Sequence, residues 1–522
     1  MSNITNDTLD LIKQAHSRSN DELKKSITTA NNLAAYDLQA PAKNLYPVQT
    51  PIRNTLPRTT GIGTATNWRT VRNIIGSGFD AMGWVPEGQR SARMSYTTQS
   101  LSASFKTLGE EDQATYEAIN AGRGFEDIRA RMTMRLLQKL MLKEESAIIG
   151  GNTSSPLNGT AQANRAPTVA TPTPTGTASN VSGVTGTLPG APTNYYIRVV
   201  PLTYEGYRNS TVSGGVAIAS TITGSDGSPY TLYGGAGAIS PASSAVSVTL
   251  GNTLFMSVTP VRGAIAYAWF VGTSSSAGGT ALQAITTINS YAISAPLVSG
   301  TQADNASVSI TGGTATLAQD NSYNPLAFDG LLYNGFNPSS GSYVYAMPTG
   351  TAGTGTPLTS SGRGSILEID DMLINMWNNN QLSPTVIYCN AQEIRNISNK
   401  VLTGANSAPL VRYNVGENAS SMQLAASPYV DTYFNPITKQ PLRIEVHPNV
   451  PPGTILSWAD DLPAQYQSSE VPNVAEVRAR QDYYQIDWPV TSRNQAVGVY
   501  CEEVLVCYAP FAIGIISNIA NS

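Results

Sequence analysis

Lysine is missing from a long central stretch of this sequence, with none between Lys143 and Lys400. Charged residues make up only 13% of the chain and the formal net charge is -4, which excludes a nucleic-acid binder that works through a strong overall field. Three cysteines is an odd number in 522 residues, so no disulfide framework is implied. Cys501 and Cys507 fall in one apparent strand, roughly 20 Å apart and beyond bridging distance, and Cys389 ends another apolar run. All three read as buried thiols. The two histidines, His16 and His447, stand far apart without cysteine or acidic neighbours at ligand spacing, so no metal site is expected. No GxSxG elbow accompanies His447, which reads as a strand-end histidine. The glycine clusters YGGAGA and GTAGTGT lack the Lys-Ser/Thr and the strand-to-helix setting of a phosphate cradle. Asp370-Asp371 and Glu502-Glu503 read as solvated or subunit-facing acids. The expectation is a protein that is not an enzyme, with no catalytic residues, cofactor or metal. No apolar run reaches the roughly 18 residues of a membrane-spanning helix, and the N-terminus MSNITNDTLDLIKQ lacks a secretory pattern, so a soluble product made in the cytosol is expected.

What is present is organised around residues 122–152, GRGFEDIRARMTMRLLQKLMLKEESAIIGGN. Phe125, Ile128, Met132, Leu136 and Leu140 recur at helical spacing, with Leu137, Met141 and Ile148 widening the stripe. Glu126 and Asp127 suit the first turn, and Gly150-Gly151-Asn152 predicts a left-handed C-terminal cap. About 26 residues make a rod of roughly 39 Å. On its polar side Arg131, Arg135, Lys139 and Lys143 recur every four residues. Like charges at that spacing repel by a few tenths of a kcal/mol per pair. The row is either a solvated face or a basic rail towards a neighbouring subunit or nucleic acid.

Residues 1–40 are polar and weakly helical, and the prolines of LYPVQTPIRNTLPR predict an extended arm that cannot be helical. NWRTVRNII and the alternation of Leu101, Ala103 and Phe105 with serines predict a two-stranded hairpin, with MGWVPEGQRS as turn material. Glu110, Glu111 and Asp112 are expected to open a short helix. Residues 161–320 hold eight charged side chains, and NYYIRVVPLTYEGYRN, AVSVTLGNTLFMSVTPV, AIAYAWFVGT and ALQAITTINSYAI read as strands of an all-β sandwich. That stretch resembles fibronectin type III or immunoglobulin-like modules. Further on, Ser365 with Glu368 predicts a capping box for ILEIDDMLINMW, and Asn390 with Glu393 one for AQEIRNISNKVL. PTVIYC lies between them, and the last 80 residues return to strands, giving an α+β class.

Taken in order, these pieces resemble the major capsid protein of tailed double-stranded DNA bacteriophages, the Hong Kong 97-type fold. LYPVQTPIRNTLPR resembles the end of the N-terminal arm, LLQKLMLKEESAIIGGN the end of the spine helix, and IDDMLINMWNNNQLSPTVIYCNAQEIRNI the axial helix–strand–helix. The closing peripheral strand is resembled by EEVLVCYAPFAIGIISNI. The resemblance implies an arm (1–60), an extended β-hairpin loop (61–109), the spine helix (110–160), an inserted immunoglobulin-like β-sandwich (161–320), and axial and peripheral domains (321–522). It implies a virion shell of hexamers and pentamers around packaged DNA, with portal and scaffold or decoration proteins as partners and no membrane. Arg131, Arg135, Lys139 and Lys143 would then be assembly or DNA-facing contacts, and Trp68, Arg72 and Trp84 extended-loop contacts. Some members of that family cross-link subunits through an extended-loop lysine. Here the loop's one lysine is Lys106, near its base, and it reads instead as an exposed strand residue. The alternatives are an immunoglobulin-like adhesin or surface-layer protein, and a hydrolase with a carbohydrate-binding insert.

Overall fold

The computed structural model describes residues 46–521 except 76–81, 124–125, 158–164, 168, 181–185, 189–192, 362–363, 403–411, 415–422, 426–429, 461 and 463–472; for 72, 73, 402, 412–414 and 423–425 it describes the backbone alone. The readings made for residues 1–40, for Phe125 and for the Arg72 side chain lie outside what is described.

The long helix runs Ile128–Gly150, 23 residues or about 34 Å. Asp127 caps it by accepting from the Ala130 amide. Its buried stripe is Met132, Leu136, Leu140 and Ile148, as the periodicity predicts, whereas Leu137 faces solvent and Met141 is half-buried. The end of the helix departs from expectation. Gly151 is extended (φ -61°, ψ 149°), so the chain leaves straight towards the next segment with no left-handed turn. The helix lies on a four-stranded sheet ordered Arg58–Thr60, Ala475–Asp487, Asn494–Cys507, Lys106–Thr115. Val497, Val499 and Cys501 meet its stripe there.

Glu110, Glu111 and Asp112 therefore belong to a strand, paired with Val499, Gly498 and Val497, and do not start a helix. The short helix begins later, at Tyr116–Ala121, where the Thr115 hydroxyl accepts from the Ala118 amide. Extended pairing along a 14-residue partner strand outweighs the N-terminal preference of three acids. The arm also departs from its reading, because Pro51–Thr55 is a helical turn. Pro51 occupies the first helical position, where its fixed φ fits and its missing N–H is not needed.

A second, six-stranded sheet is ordered Tyr343–Ala346, Ile513–Ser517, Ile455–Trp458, Val386–Cys389, Pro441–Val446, Thr432–Phe434. Helix Leu367–Asn380 contributes Ile369, Met372, Leu373 and Met376 to one of its cores. Neither expected capping box forms as written. Glu368 instead accepts from the Thr359 amide at 2.9 Å, and the residue at the N-cap is Ile366, which has no capping side chain. Asn390 does cap helix Ala391–Leu402 through the Gln392 amide at 3.1 Å, but Glu393 turns inward to the Gly453 amide at 2.9 Å. Asp370 is half-buried and accepts from the Tyr433 hydroxyl at 2.6 Å; Asp371 is exposed.

Among the described residues, Thr175 to Thr316 carries eleven strands and one short helix. A three-stranded sheet (Ser290–Ile293, Thr253–Ser257, Thr175–Ser179) faces a four-stranded one (Ala281–Thr286, Ala266–Gly272, Thr193–Leu202, Val246–Val248). Leu254 and Met256 from the first meet Ile197, Val199 and Trp269 from the second. The opposite face of the four-stranded sheet is covered as well, with Val200, Ala268 and Phe270 under Val216, Ile218 and Leu317. Burial on both faces explains why AYAWFVG is apolar at successive positions. The stretch YEGYRN, read as strand, is a helical turn, Tyr204–Asn209, capped by the Thr203 hydroxyl on the Gly206 amide.

Candidate functional site

Two places in the molecule break the ordinary rule of apolar inside and charged outside. The first is the hairpin. Ala65–Ile75 pairs antiparallel with Ser95–Ser104, and no third strand joins them among the described residues. Near its base Trp68 packs edge-to-face on Tyr508 at 5.8 Å, and with Ala103 and Phe105 it closes the large core. Further out the cover stops. Ile74, Met82, Met94 and Tyr96 are exposed, and Trp84 is 92% exposed. An isolated two-stranded hairpin is marginal in water, and a cluster of bare large apolar side chains on it marks a contact surface.

The second place lies under the arm. Glu144 and Glu145 of the long helix and Glu503 of strand Asn494–Cys507 are fully buried. Glu145 takes the role that Thr50 does not fill. Its carboxylate accepts from the Ile52 amide at 3.1 Å and the Arg53 amide at 2.7 Å, satisfying the first turn of helix Pro51–Thr55 from another element. The same carboxylate receives His447 Nε2 at 2.5 Å. His447 Nδ1 accepts from the Asn449 amide at 3.0 Å, which fixes the ring as the neutral tautomer with its proton on Nε2. Glu144 receives Arg53 Nε at 2.7 Å, Arg58 Nη1 and the Tyr483 hydroxyl. Arg58 Nη2 also reaches Glu503 at 3.0 Å and Asp482 at 2.8 Å. Both guanidinium groups stack over the Tyr483 ring, at 5.2 and 5.4 Å. Burial opposes the charge on Arg58, but its carboxylate partners, Glu144 foremost, more than offset this and hold the guanidinium above its ordinary value. Burial pushes the Glu503 carboxyl up, and Glu144 adds to that against the pull of Arg58.

No family model matches the chain, and no curated protein matches it. Solved structures give matches across nearly the whole length. The capsid of the native GTA particle has a TM-score of 0.41 at 8% identity, covering 95% of this chain and 99% of that one. The holo-SrpI encapsulin complex from Synechococcus elongatus gives 0.39 at 10% identity, covering 94% and 95%. The capsid of Myoviridae phage XM1 gives 0.39 at 8% identity, covering 94% and 99%.

The structure separates the residues that the sequence singled out. Arg131, Arg135, Lys139 and Lys143 do share one side of the long helix, yet they are not one continuous rail. Arg131 pairs with Glu126 at 2.5 Å, and Lys143 pairs with Glu110 while burial pushes its ammonium down. Arg135 and Lys139 remain exposed, without an ion pair among the described residues. Lys139 and Lys143 border an open cleft of about 590 Å³ with Tyr46, Glu205 and Arg208, where burial pushes the Glu205 carboxyl up to about 7. Trp68 is an internal contact at the hairpin base, and Trp84 stands free near the tip. Lys106 is half-buried, and its ammonium donates to the Pro325 carbonyl at 2.6 Å, so it is not an exposed strand residue. All three cysteines are buried free thiols, pushed up by burial, Cys389 and Cys507 to about 12.

Sequence reasoning missed the cluster under the arm. Glu502-Glu503 was expected in solvent or at a subunit boundary, but alternation along the strand sends Glu502 to Arg480 at 2.5 Å and Glu503 inward. One signal was available. Glu144 stands four residues after Leu140 and four before Ile148, inside the buried stripe, and Glu145 stands four before Ile149. Among the described residues no group of three or more potential metal ligands converges. No described helix is long and apolar enough to cross a membrane.

Proposed function

We propose that this chain is the structural subunit of a self-assembling icosahedral shell of the tailed-phage capsid type, built from hexamers and pentamers around packaged double-stranded DNA. The observation that carries this reading is the hairpin of residues 65–104, whose outer half bears Trp84, Met94 and Tyr96 uncovered. A subunit with such an arm is completed by a neighbouring copy. Residues 1–60 serve as the arm, 61–109 as the extended loop and 110–160 as the spine. Residues 161–320 form an inserted immunoglobulin-like domain displayed on the outside, and 321–522 are the axial and peripheral domains. Portal and scaffold or decoration proteins are its other partners, assembly takes place in the host cytoplasm, and Arg135 and Lys139 are the exposed basic contacts.

Negative-stain electron microscopy of the full chain, expressed alone and with a scaffold protein, tests the reading. Closed shells or tubes are the expected result. Dispersed monomers from both preparations would overturn it and favour the adhesin alternative.

A further inference from the structure

The donors around the three buried carboxyls are unequally shared. Glu145 receives three, the amides of Ile52 and Arg53 and the His447 ring. Glu144 also receives three, from Arg53, Arg58 and Tyr483. Glu503 receives one, from Arg58, and its Oε1 is buried without a hydrogen-bond partner among the described residues. Yet Glu144 holds the other terminal nitrogen of the same Arg58 guanidinium, and its carboxylate adds to burial in pushing the Glu503 carboxyl up. Two carboxylates do not face each other in a dry interior unless one carries a proton. Counting charge gives the same answer. Glu144, Glu145, Glu503 and the exposed Asp482 meet only Arg53 and Arg58 as cations, so the buried carboxyls outnumber the charges that can neutralise them and a proton on one of them reduces the excess.

We propose that Glu503 carries a proton shared with Glu144, and that this buried pair is a pH-sensitive latch fastening residues 51–60 to the long helix. The groups facing Glu503 come from every element packed on it. The arm brings Arg53 and Arg58, and the long helix brings Glu144 and, behind it, Glu145 with His447. Strand Ala475–Asp487 brings Asp482, which accepts from Arg58, and Tyr483, whose hydroxyl donates to Glu144 and accepts from Arg53. On strand Lys106–Thr115, Lys106 stands opposite Glu503 in register, but its ammonium is taken up by the Pro325 carbonyl. On Glu503's own strand, Cys501 is a buried thiol and Glu502 turns away to Arg480. No spare buried cation is left to neutralise a second charge when Glu503 ionises.

The direction follows from linkage. The fastened state binds the proton more tightly than a state in which the arm has lifted and water reaches Glu503. Rising pH therefore favours release, above the ordinary carboxylate range. The relief is local, because lifting residues 51–60 removes Arg58 from between the two acids and lets both hydrate.

Hydrogen–deuterium exchange of the full chain, followed in a peptide spanning residues 51–60 and corrected for intrinsic rate, tests this from about pH 6 to about pH 9. In the wild type the opening constant of that peptide rises with pH, by up to about tenfold per unit. In Glu503→Gln, whose neutral amide donates to Glu144 at every pH, the profile is flat. A flat wild-type profile would overturn the proposal. So would an unchanged slope in Glu503→Gln, or an equal rise in a peptide from helix Ala391–Leu402. If Glu503→Gln does not fold, the infrared band of a protonated carboxyl in the wild type replaces it. The band must fade over the same pH range as the arm opens, and its absence at low pH would sink the idea.

Discussion

The hairpin and the cluster under the arm are opposite exceptions to one rule. Residues 82–98 are exposed although they carry tryptophan, methionine, valine and tyrosine, whereas Glu144, Glu145 and Glu503 are buried although they carry charge. The difference lies in where each finds its partner. The acids meet arginines, a histidine and backbone amides of the same chain, so their burial is compensated inside one subunit. The hairpin's apolar side chains have no such counterpart among the described residues, and under the proposed function their cover comes from a neighbouring copy. On that reading one region reports on the stability of the subunit and the other on assembly. Substitutions in the two should act on different measurements.

The sharpest way to break that separation is in the cluster. Glu145→Ala strands His447 and the first-turn amides of helix Pro51–Thr55, and Glu144→Ala leaves two half-buried guanidinium groups underpaired. Either change should destabilise the single chain by about 3–5 kcal/mol, the usual cost of removing one side of a buried ion pair. Urea unfolding of unassembled protein measures it. A loss below about 1 kcal/mol would mean that water compensates the site and that the arm is not fastened there.

A smaller effect belongs to the hairpin base. Trp68→Ala removes an edge-to-face contact with Tyr508 and part of the large core, at a half-buried position. About 1–2 kcal/mol is expected, less than a fully buried aromatic would cost. Proteolysis between residues 65 and 104 should accelerate in step, because the hairpin loses its Trp68–Tyr508 anchor.

The split between these regions also explains how much was legible in the sequence. The stripe Met132, Leu136, Leu140 and Ile148, the hairpin strands and the apolar run AYAWFVG were read correctly, since each reports burial through its own periodicity. The misreadings share a cause, which is a distant partner overriding a local preference. Glu110, Glu111 and Asp112 favour a helix start until strand Asn494–Cys507 pairs with them. Glu368 and Glu393 favour reaching back to their own helix ends until Thr359 and Gly453 offer amides. Thr50 has the right chemistry for a cap, but Glu145, 93 residues away from Ile52, supplies it. Apart from Thr359, nine residues before Glu368, no short window of sequence contains both halves of such a bond. Pro51 was a different error: the residue was read as a helix breaker where its place in the first turn makes it a helix starter.

At the hairpin tip, Trp84→Ser combined with Met94→Ser should leave the unfolding free energy of the single chain unchanged within about 0.5 kcal/mol, because both side chains already face water. Shell yield by sedimentation should nevertheless collapse. A loss of monomer stability would show that the tip folds back on its own subunit, and full shell yield would remove the hairpin from the assembly contacts.

The smallest expected effect on the chain itself is also the cleanest test of the basic side of the long helix. Arg135 and Lys139 are exposed and follow Arg131 and precede Lys143 at four-residue spacing, so in the isolated subunit they contribute only mutual repulsion. Arg135→Glu with Lys139→Glu turns two of the three like-charge pairs attractive, keeps one repulsion between positions 135 and 139, and sets the acid at 139 N-terminal to Lys143 in the favourable order. The variant should be more stable than the wild type by a few tenths of a kcal/mol in urea. If the two cations face a neighbouring subunit or packaged DNA, the same variant should assemble poorly or lose DNA on purification, with a defect that shrinks as salt weakens the contact in the wild type as well. A variant that gains stability and still forms filled, wild-type particles would make this side of the helix a solvated face.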